Sequence, residues 1–230
     1  MFILCWMGNY FGGMISTLLA AYLPDTVFDL IGGVDAAALS EIGSYVGALY
    51  LVGWSVGGMT FGYLGDRVGR VRAFAGTFLL YSAFTLAASF VPSWQLLVLC
   101  RLVAGFGVGG TMVVSAVLVA EVWPTRTRAV AIGVLAAAFP IGIVSAGAIN
   151  YLVPGWRTAL LIGMVPLALA LVATFVLREP GSERTSAASA SVTASADRYG
   201  QLFRSPLLSS FLIGATIFGA MIVGIWAVFS

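Results

Sequence analysis

The residues best suited to chemistry sit in one stretch, Gly62-Tyr63-Leu64-Gly65-Asp66-Arg67-Val68-Gly69-Arg70. Its glycines permit a tight turn where two helices nearly touch. One carboxylate and two guanidiniums lie close enough there to pair with each other or to cap helix ends, so the cluster can lock one arrangement of neighbouring helices. Arg101 is a different case, because it is an ionisable side chain well inside an apolar run. An unpaired Arg in hydrocarbon is costly, and such residues usually face a cavity or a partner. Four arrangements satisfy Arg101: snorkelling to the membrane interface, bonding to backbone carbonyls, pairing with Glu41, or facing a cavity where it meets a ligand carboxylate or an acid from elsewhere. Asn9, Tyr45, Tyr50, Trp54, Ser55, Thr111, Ser115 and Asn150 suit either a polar cavity lining or a helix contact. All eleven basic residues are Arg, with no Lys and no His. A retinal Schiff base, His-dependent metal sites, haem ligation and Ser-His hydrolysis are therefore unsupported, and neither an enzyme nor a bound cofactor or metal is expected.

The elements that must position these groups are membrane helices. Sixty per cent of the 230 residues are apolar and nine per cent charged, against roughly a quarter charged in soluble domains. Apolar segments fall at about 2–23, 42–64, 73–91, 95–120, 129–153, 158–177 and 206–230, each near the ~20 residues a helix needs to cross a bilayer. Backbone groups in lipid must be paired internally, so these segments are predicted to be helices. Gly43/Gly47, Gly53/Gly57, Gly58/Gly62 and Gly105/Gly109 are spaced for close helix contact. Cys5 and Cys100 lie in apolar runs near opposite membrane faces, beyond disulfide reach. No clustered basic surface invites nucleic acid.

Connections are short except at 24–41, which holds Asp25, Asp29, Asp35 and Glu41, and at 178–205, which is rich in Ser and Ala and reads as a flexible linker. Nine arginines fall in the loops after the second, fourth and sixth segments, and only Arg157 in the opposite loops. The positive-inside rule then places those loops, and the amino terminus, in the cytoplasm. Trp94 and Trp156 mark the predicted outer boundary, Tyr63 and Trp123 the inner one. No basic residue precedes the first apolar run, which argues against a signal peptide. The run begins at Met1-Phe2 and the chain stops at Ser230 without a polar tail, so truncation is expected. Leu18-x-Ala20-x-x-x-Pro24 recurs as Leu118-x-Ala120-x-x-x-Pro124, consistent with three helices duplicated in inverted topology.

The 62–70 stretch resembles the loop signature of the major facilitator superfamily, G-x-x-x-D-R-x-G-R-[RK], except that Val71 replaces the last basic residue and Arg72 follows one step later. Arg101-x-x-x-Gly105-x-Gly107-x-Gly109-Gly110 is similar to the family's second motif. Glu121-x-x-Pro124-x-x-x-Arg128, Gly155-Trp156-Arg157 and Arg178-Glu179-Pro180 resemble its sugar-porter and metabolite-symporter branches. The resemblance implies an all-α membrane fold: a six-helix domain of two inverted three-helix repeats over 1–180, a cytoplasmic linker over 181–204, and a seventh helix over 205–230 that starts an incomplete second domain. It also implies a cytoplasmic charge network of Asp66, Arg67, Arg70, Glu121 and Arg128, with Arg101 near substrate or a proton-coupling group; Asn9, Tyr45, Trp54 and Asn150 are the candidates for cavity lining by their polarity or ring type alone. Two departures matter. Asn9-Tyr10-Phe11-Gly12-Gly13 lacks the acid that several proton symporters carry in the first helix, and the Gly133-x8-Gly142 spacing lacks the Gly-Pro element of antiporters.

The expected function is a secondary transporter of a small polar metabolite, an organic anion or a sugar, working by alternating access in the inner membrane and open to proton coupling. Its partners would be substrate, lipid, and a carboxy-terminal half or partner chain. The competing readings are a non-transporting half that assembles with another chain, and a seven-helix receptor.

Overall fold

A computed structural model describes residues 1–33 and 36–176, together with the isolated helical positions 209, 213 and 216. The chain divides into two compact units, Met1–Pro180 and Gly181–Ser230. The expected linker and almost all of the expected seventh helix lie outside the described residues.

The first unit is helical throughout: α1 (Phe2–Ala21), α2 (Leu23–Ile31), α3 (Ala36–Val68), α4 (Arg70–Ala88), α5 (Trp94–Val122), α6 (Arg128–Leu152), α7 (Trp156–Leu160), a single 3-10 turn (Leu161–Gly163) and α8 (Met164–Val176). Among the described residues, five segments are long and apolar enough to cross a membrane: α1, α4, α5, α6 and the composite Trp156–Thr174. The sequence reading placed a sixth at 42–64. The helix there, α3, has 33 residues, about 50 Å at 1.5 Å per residue. Its glycines and its Ser, Thr and Tyr side chains dilute its hydropathy, yet Leu51, Val52, Val56 and Met59 stand exposed along it, as the lipid-facing side chains of a span do.

Two further expectations are corrected. The segment 24–41 is not a plain loop, since α2 occupies Leu23–Ile31 and α3 already begins at Ala36. Pro24 in its first turn and Gly32 in the left-handed conformation after its last residue are ordinary start and stop signals. The signature stretch is also mostly helix: α3 runs to Val68 and α4 starts at Arg70, with Gly69 alone between them at φ +107°. Only glycine adopts that backbone without strain, and it is what folds α4 back on α3.

Lipid supplies no hydrophobic drive between helices, so close packing and interhelical hydrogen bonds must hold the bundle. The glycine spacing delivers the first. Gly53 and Gly57 of α3 lie against the backbone carbonyls of Leu102 and Phe106, while Gly105 and Gly109 of α5 lie against those of Tyr50 and Trp54. Two four-residue glycine pairs thus form one reciprocal seam. Gly13 and Gly142 do the same for α1 and α6, meeting the carbonyls of Phe139 and Tyr10. Gly58 meets Val113 and the Gly109 backbone, Gly62 only Val113, Gly43 only Leu23, and nothing lies within 4 Å of a Cβ placed at Gly47. Buried polar ties supply the second: Tyr81 Oη donates to the Gly8 carbonyl at 3.0 Å, and Thr111 Oγ1 donates to Thr77 Oγ1 at 3.0 Å. Each tie is worth roughly 0.6 to 2 kcal/mol in a membrane. Cys5 and Cys100 are buried free thiols. The echoed Leu18 and Leu118 are both fully buried, near the ends of α1 and α5.

Candidate functional site

Charged and polar groups gather at three places. The first is where α3 turns into α4. Glycine at position 69 brings Arg70 back over the last turn of α3, where its Nη2 pairs with Asp66 Oδ1. Arg70 Nε lies 3.4 Å from Glu121 Oε1 at the end of α5, so one guanidinium ties three helix ends. Arg67 instead stacks over the Tyr63 ring at 4.4 Å. Arg128, in the first turn of α6, donates from Nη2 to the Trp123 carbonyl at 3.4 Å, and Trp123 Nε1 donates to Thr127 Oγ1 at 3.0 Å. Asp66, Arg70 and Glu121 are therefore in direct contact, while Arg67 and Arg128 flank them on other partners.

The second place lies about 30 Å away, twenty residues back along α5 at 1.5 Å per residue. Arg101 is 4% exposed. Its Nη1 and Nη2 donate to the Ile15 and Ser16 carbonyls of α1, each at 3.0 Å, and its guanidinium lies 4.1 Å over the Tyr50 ring of α3. Tyr50 Oη and Ser16 Oγ are 2.6 Å apart, and Ser16 Oγ donates to the Gly12 carbonyl. Of the four arrangements open to Arg101, this is the carbonyl-bonded one. Its Nε has no hydrogen-bond partner. One buried cation thereby joins α1, α3 and α5 through neutral groups alone.

The residues read as cavity lining separate into three kinds. Asn9 is buried at a helix contact, where Nδ2 donates to the Cys5 carbonyl at 2.8 Å and to Ser115 Oγ at 2.7 Å. Tyr50, Thr111 and Ser115 are likewise buried. Tyr45, Ser55 and Asn150 are exposed, Tyr45 stacking on Trp94 at 6.2 Å. Trp54 is half-buried and bridges α3 to α6, with Tyr50 at 5.9 Å and Phe139 at 5.3 Å between ring centres. Aromatic contacts of α1 extend this surface: Trp6 stacks on Tyr10 at 5.6 Å, and Tyr10 Oη donates to Ser145 Oγ of α6 at 2.9 Å. Phe139, Trp6 and Tyr10 were not picked out from sequence, because aromatics in an apolar run carry no spacing signal of their own.

The third place is a tie the sequence reading also missed. Asp29 of α2 accepts from Trp156 Nε1 at 3.2 Å and from Arg157 Nε at 3.1 Å, and Arg157 Nη1 donates to the Ser89 and Val91 carbonyls. The signal was available, since Arg157 stood alone on its predicted side of the membrane beside an acid-rich segment.

Apolar helices joined by glycine seams, with an ion-pair cluster at one end and a buried guanidinium, define a multi-pass helical membrane protein. The chain belongs to the Major Facilitator Superfamily, whose family model matches residues 1–229. It is 34% identical over 125 residues to the niacin transporter NiaP of Acinetobacter baylyi, an alignment covering 53% of this chain and 28% of that protein. It is 28% identical over 195 residues to the 4-hydroxybenzoate transporter PcaK of Pseudomonas aeruginosa, covering 79% of this chain and 42% of the relative. The fold is similar to the inward-open xylose transporter XylE of E. coli, with TM-score 0.71, 18% identity, and 94% and 59% of the two chains covered. The alignments thus cover 28% and 42% of these two curated relatives, less than half the length of each.

Proposed function

We propose that the protein is a secondary carrier that moves a small organic anion across the cytoplasmic membrane by alternating access. The observation that carries this reading is Arg101: a buried cation whose contacts are carbonyls and a tyrosine ring, with no carboxylate pairing to it among the described residues. A carboxylate-bearing cargo is the natural complement once an access state parts α1 from α3 and α5 and frees the guanidinium from its carbonyls, and the relatives named for niacin and 4-hydroxybenzoate both handle carboxylates. The half-buried Trp54 and its aromatic neighbours supply apolar, ring-compatible surface close to Tyr50. The packing of α1 on α6 and of α3 on α5 supports reading α1, α3 and α4 and then α5, α6 and the Trp156–Thr174 span as related triplets. The test is uptake of labelled nicotinate, 4-hydroxybenzoate and xylose by cells expressing the whole protein. Saturable uptake of a carboxylate, unaffected by excess xylose, supports the reading, whereas uptake of xylose alone rejects it.

In this reading the Asp66–Arg70–Glu121 contact latches the cytoplasmic ends in one of the two access states. Asp66 and Glu121 are about half exposed, so solvent screens the pair and its loss is worth ~1 kcal/mol. That is about a fivefold shift in a balanced two-state equilibrium. Asp66→Asn is expected to slow uptake by about that factor with normal membrane abundance. Parental uptake by a normally expressed Asp66→Asn protein removes Asp66 from the latch.

The orientation follows from the arginine count. The 62–70 turn and the 178–205 segment are cytoplasmic and 24–41 faces outside. Single cysteines at Ala36 and Ser189, in a background lacking Cys5 and Cys100, provide the check with an impermeant maleimide on intact cells. Labelling at position 36 and protection at 189 is the expected pattern, and the reverse inverts the topology.

A further inference from the structure

Helix α2 begins one residue after α1 ends, with only Tyr22 between them, so it sits at the membrane boundary where the first span emerges. Its nine residues divide by direction at about 100° per residue. Thr26 and Val27 are buried against the bundle, with Leu23 and Leu30 half-buried beside them. The outward surface then splits in two. Asp25 and Asp29 form one stripe, and Pro24, Phe28 and Ile31 form another, about 100° around the helix. Phe28 is 54% exposed and Ile31 40%.

The position of that apolar stripe is set by the Asp29 tie. Trp156 and Arg157, which hold Asp29, open the span that runs from Trp156 to Thr174. Arg157 also binds the Ser89 and Val91 carbonyls, so the turn between α4 and α5 lies at the same level. The residue between those carbonyls, Phe90, is 71% exposed. Three large apolar side chains from two connections are therefore exposed at the level of the ion pair and of the span ends it joins. An amphipathic helix at that depth, with Phe and Ile on one flank and a charged flank on the other, is shaped to lie along the interface, though its charges are Asp and not the basic residues common there.

We propose that α2 is such a helix: Phe28 and Ile31, and Phe90 of the α4–α5 turn at the same level, are seated at the headgroup–acyl boundary of the adjoining leaflet, and the Asp29–Arg157 tie sets the roll that keeps Phe28 and Ile31 there. The occupant of the stripe is lipid, by continuity with the lipid-facing sides of the spans on which α2 rests. The assignment does not depend on which substrate the protein carries or on which side of the cell the helix lies.

Spin labels test it. Single cysteines at Phe28, Ile31, Phe90 and Asp25 are introduced into the whole protein lacking Cys5 and Cys100, labelled, and reconstituted in phosphatidylcholine vesicles. Collision with oxygen and with a water-soluble nickel chelate is then measured by power saturation. Positions 28, 31 and 90 are expected to favour oxygen over nickel at least about threefold more than position 25 does. Nickel access at 28 and 31 equal to that at 25 overturns the proposal in favour of an aqueous surface. Shielding of 28 and 31 from both reagents overturns it in favour of a protein cover. With the label at 28, Arg157→Gln or the milder Asp29→Asn is expected to move the ratio toward that of position 25. An unchanged ratio in both variants rejects the tie as the element that sets the roll.

Discussion

Arg101→Gln is expected to abolish uptake of an anionic substrate while the protein remains in the membrane, and Arg101→Lys to keep a fraction of it. The guanidinium makes two bonds to α1 carbonyls and lies over Tyr50. Hydrogen bonds to charged groups are worth ~1.5–3 kcal/mol each, and a desolvated cation–π contact adds ~2 kcal/mol. Gln retains a donor and none of the charge, so a bound carboxylate would face a neutral amide. Lys keeps the charge but cannot reach two carbonyls at once, because its donors radiate from a point and not from a planar fork. The Ile15 and Ser16 carbonyls survive any of these changes, since each already accepts within α1. A folded but inactive Arg101→Gln protein is thus the expected phenotype. Uptake rate is measured against membrane abundance for each variant. If Arg101→Gln transports at the parental rate with unchanged pH dependence, Arg101 is structural and the organic-anion preference is dropped.

The sequence identified Arg101 and the 62–70 cluster, because charge in an apolar run is costly enough to stand out from a single chain. It also identified the glycine pairs Gly53/Gly57 and Gly105/Gly109. What it did not reveal is which pairs face each other: Gly43/Gly47 has the same spacing yet meets one leucine side chain or nothing. Spacing fixes which residues share a face, and the neighbour that face meets is decided by tertiary packing. The helix boundaries were misplaced for a related reason. Hydropathy registers where lipid begins, whereas α3 continues beyond it to Val68, held by hydrogen bonds and by Arg70. The same blindness hid α2, a short helix stabilised by burial and by the Asp29 tie, whose periodicity is too brief to read. Asn9 shows a further limit. A polar residue in a span looks equally fit for a cavity and for a helix contact until the partner, here Ser115, is located 106 positions away.

The largest effect on stability is expected at the α3–α5 seam. A Cβ at Gly57 would fall on the Phe106 carbonyl, and one at Gly109 on the Trp54 carbonyl. Neither obstacle is the flexible end of a side chain, so relief requires the two helices to separate along the whole seam. Overpacking of a core costs ~1–3 kcal/mol and sometimes more, and a collision with backbone belongs at the top of that range. Separation would also break the contacts that α5 makes at both ends, Arg101 with Tyr50 near one and Glu121 with Arg70 at the other. Gly57→Val and Gly109→Val are therefore expected to lower the melting temperature in detergent sharply and to remove uptake with it. Gly47→Ala, on the same helix, is the control for helix propensity. A Cβ there meets nothing within 4 Å, and Ala in place of Gly within a helix is favourable by ~1 kcal/mol. It should melt at or above the parental temperature and transport normally. The seam is rejected as the element joining α3 to α5 if Gly57→Val melts with Gly47→Ala, because a real backbone contact leaves no room for the added methyl groups.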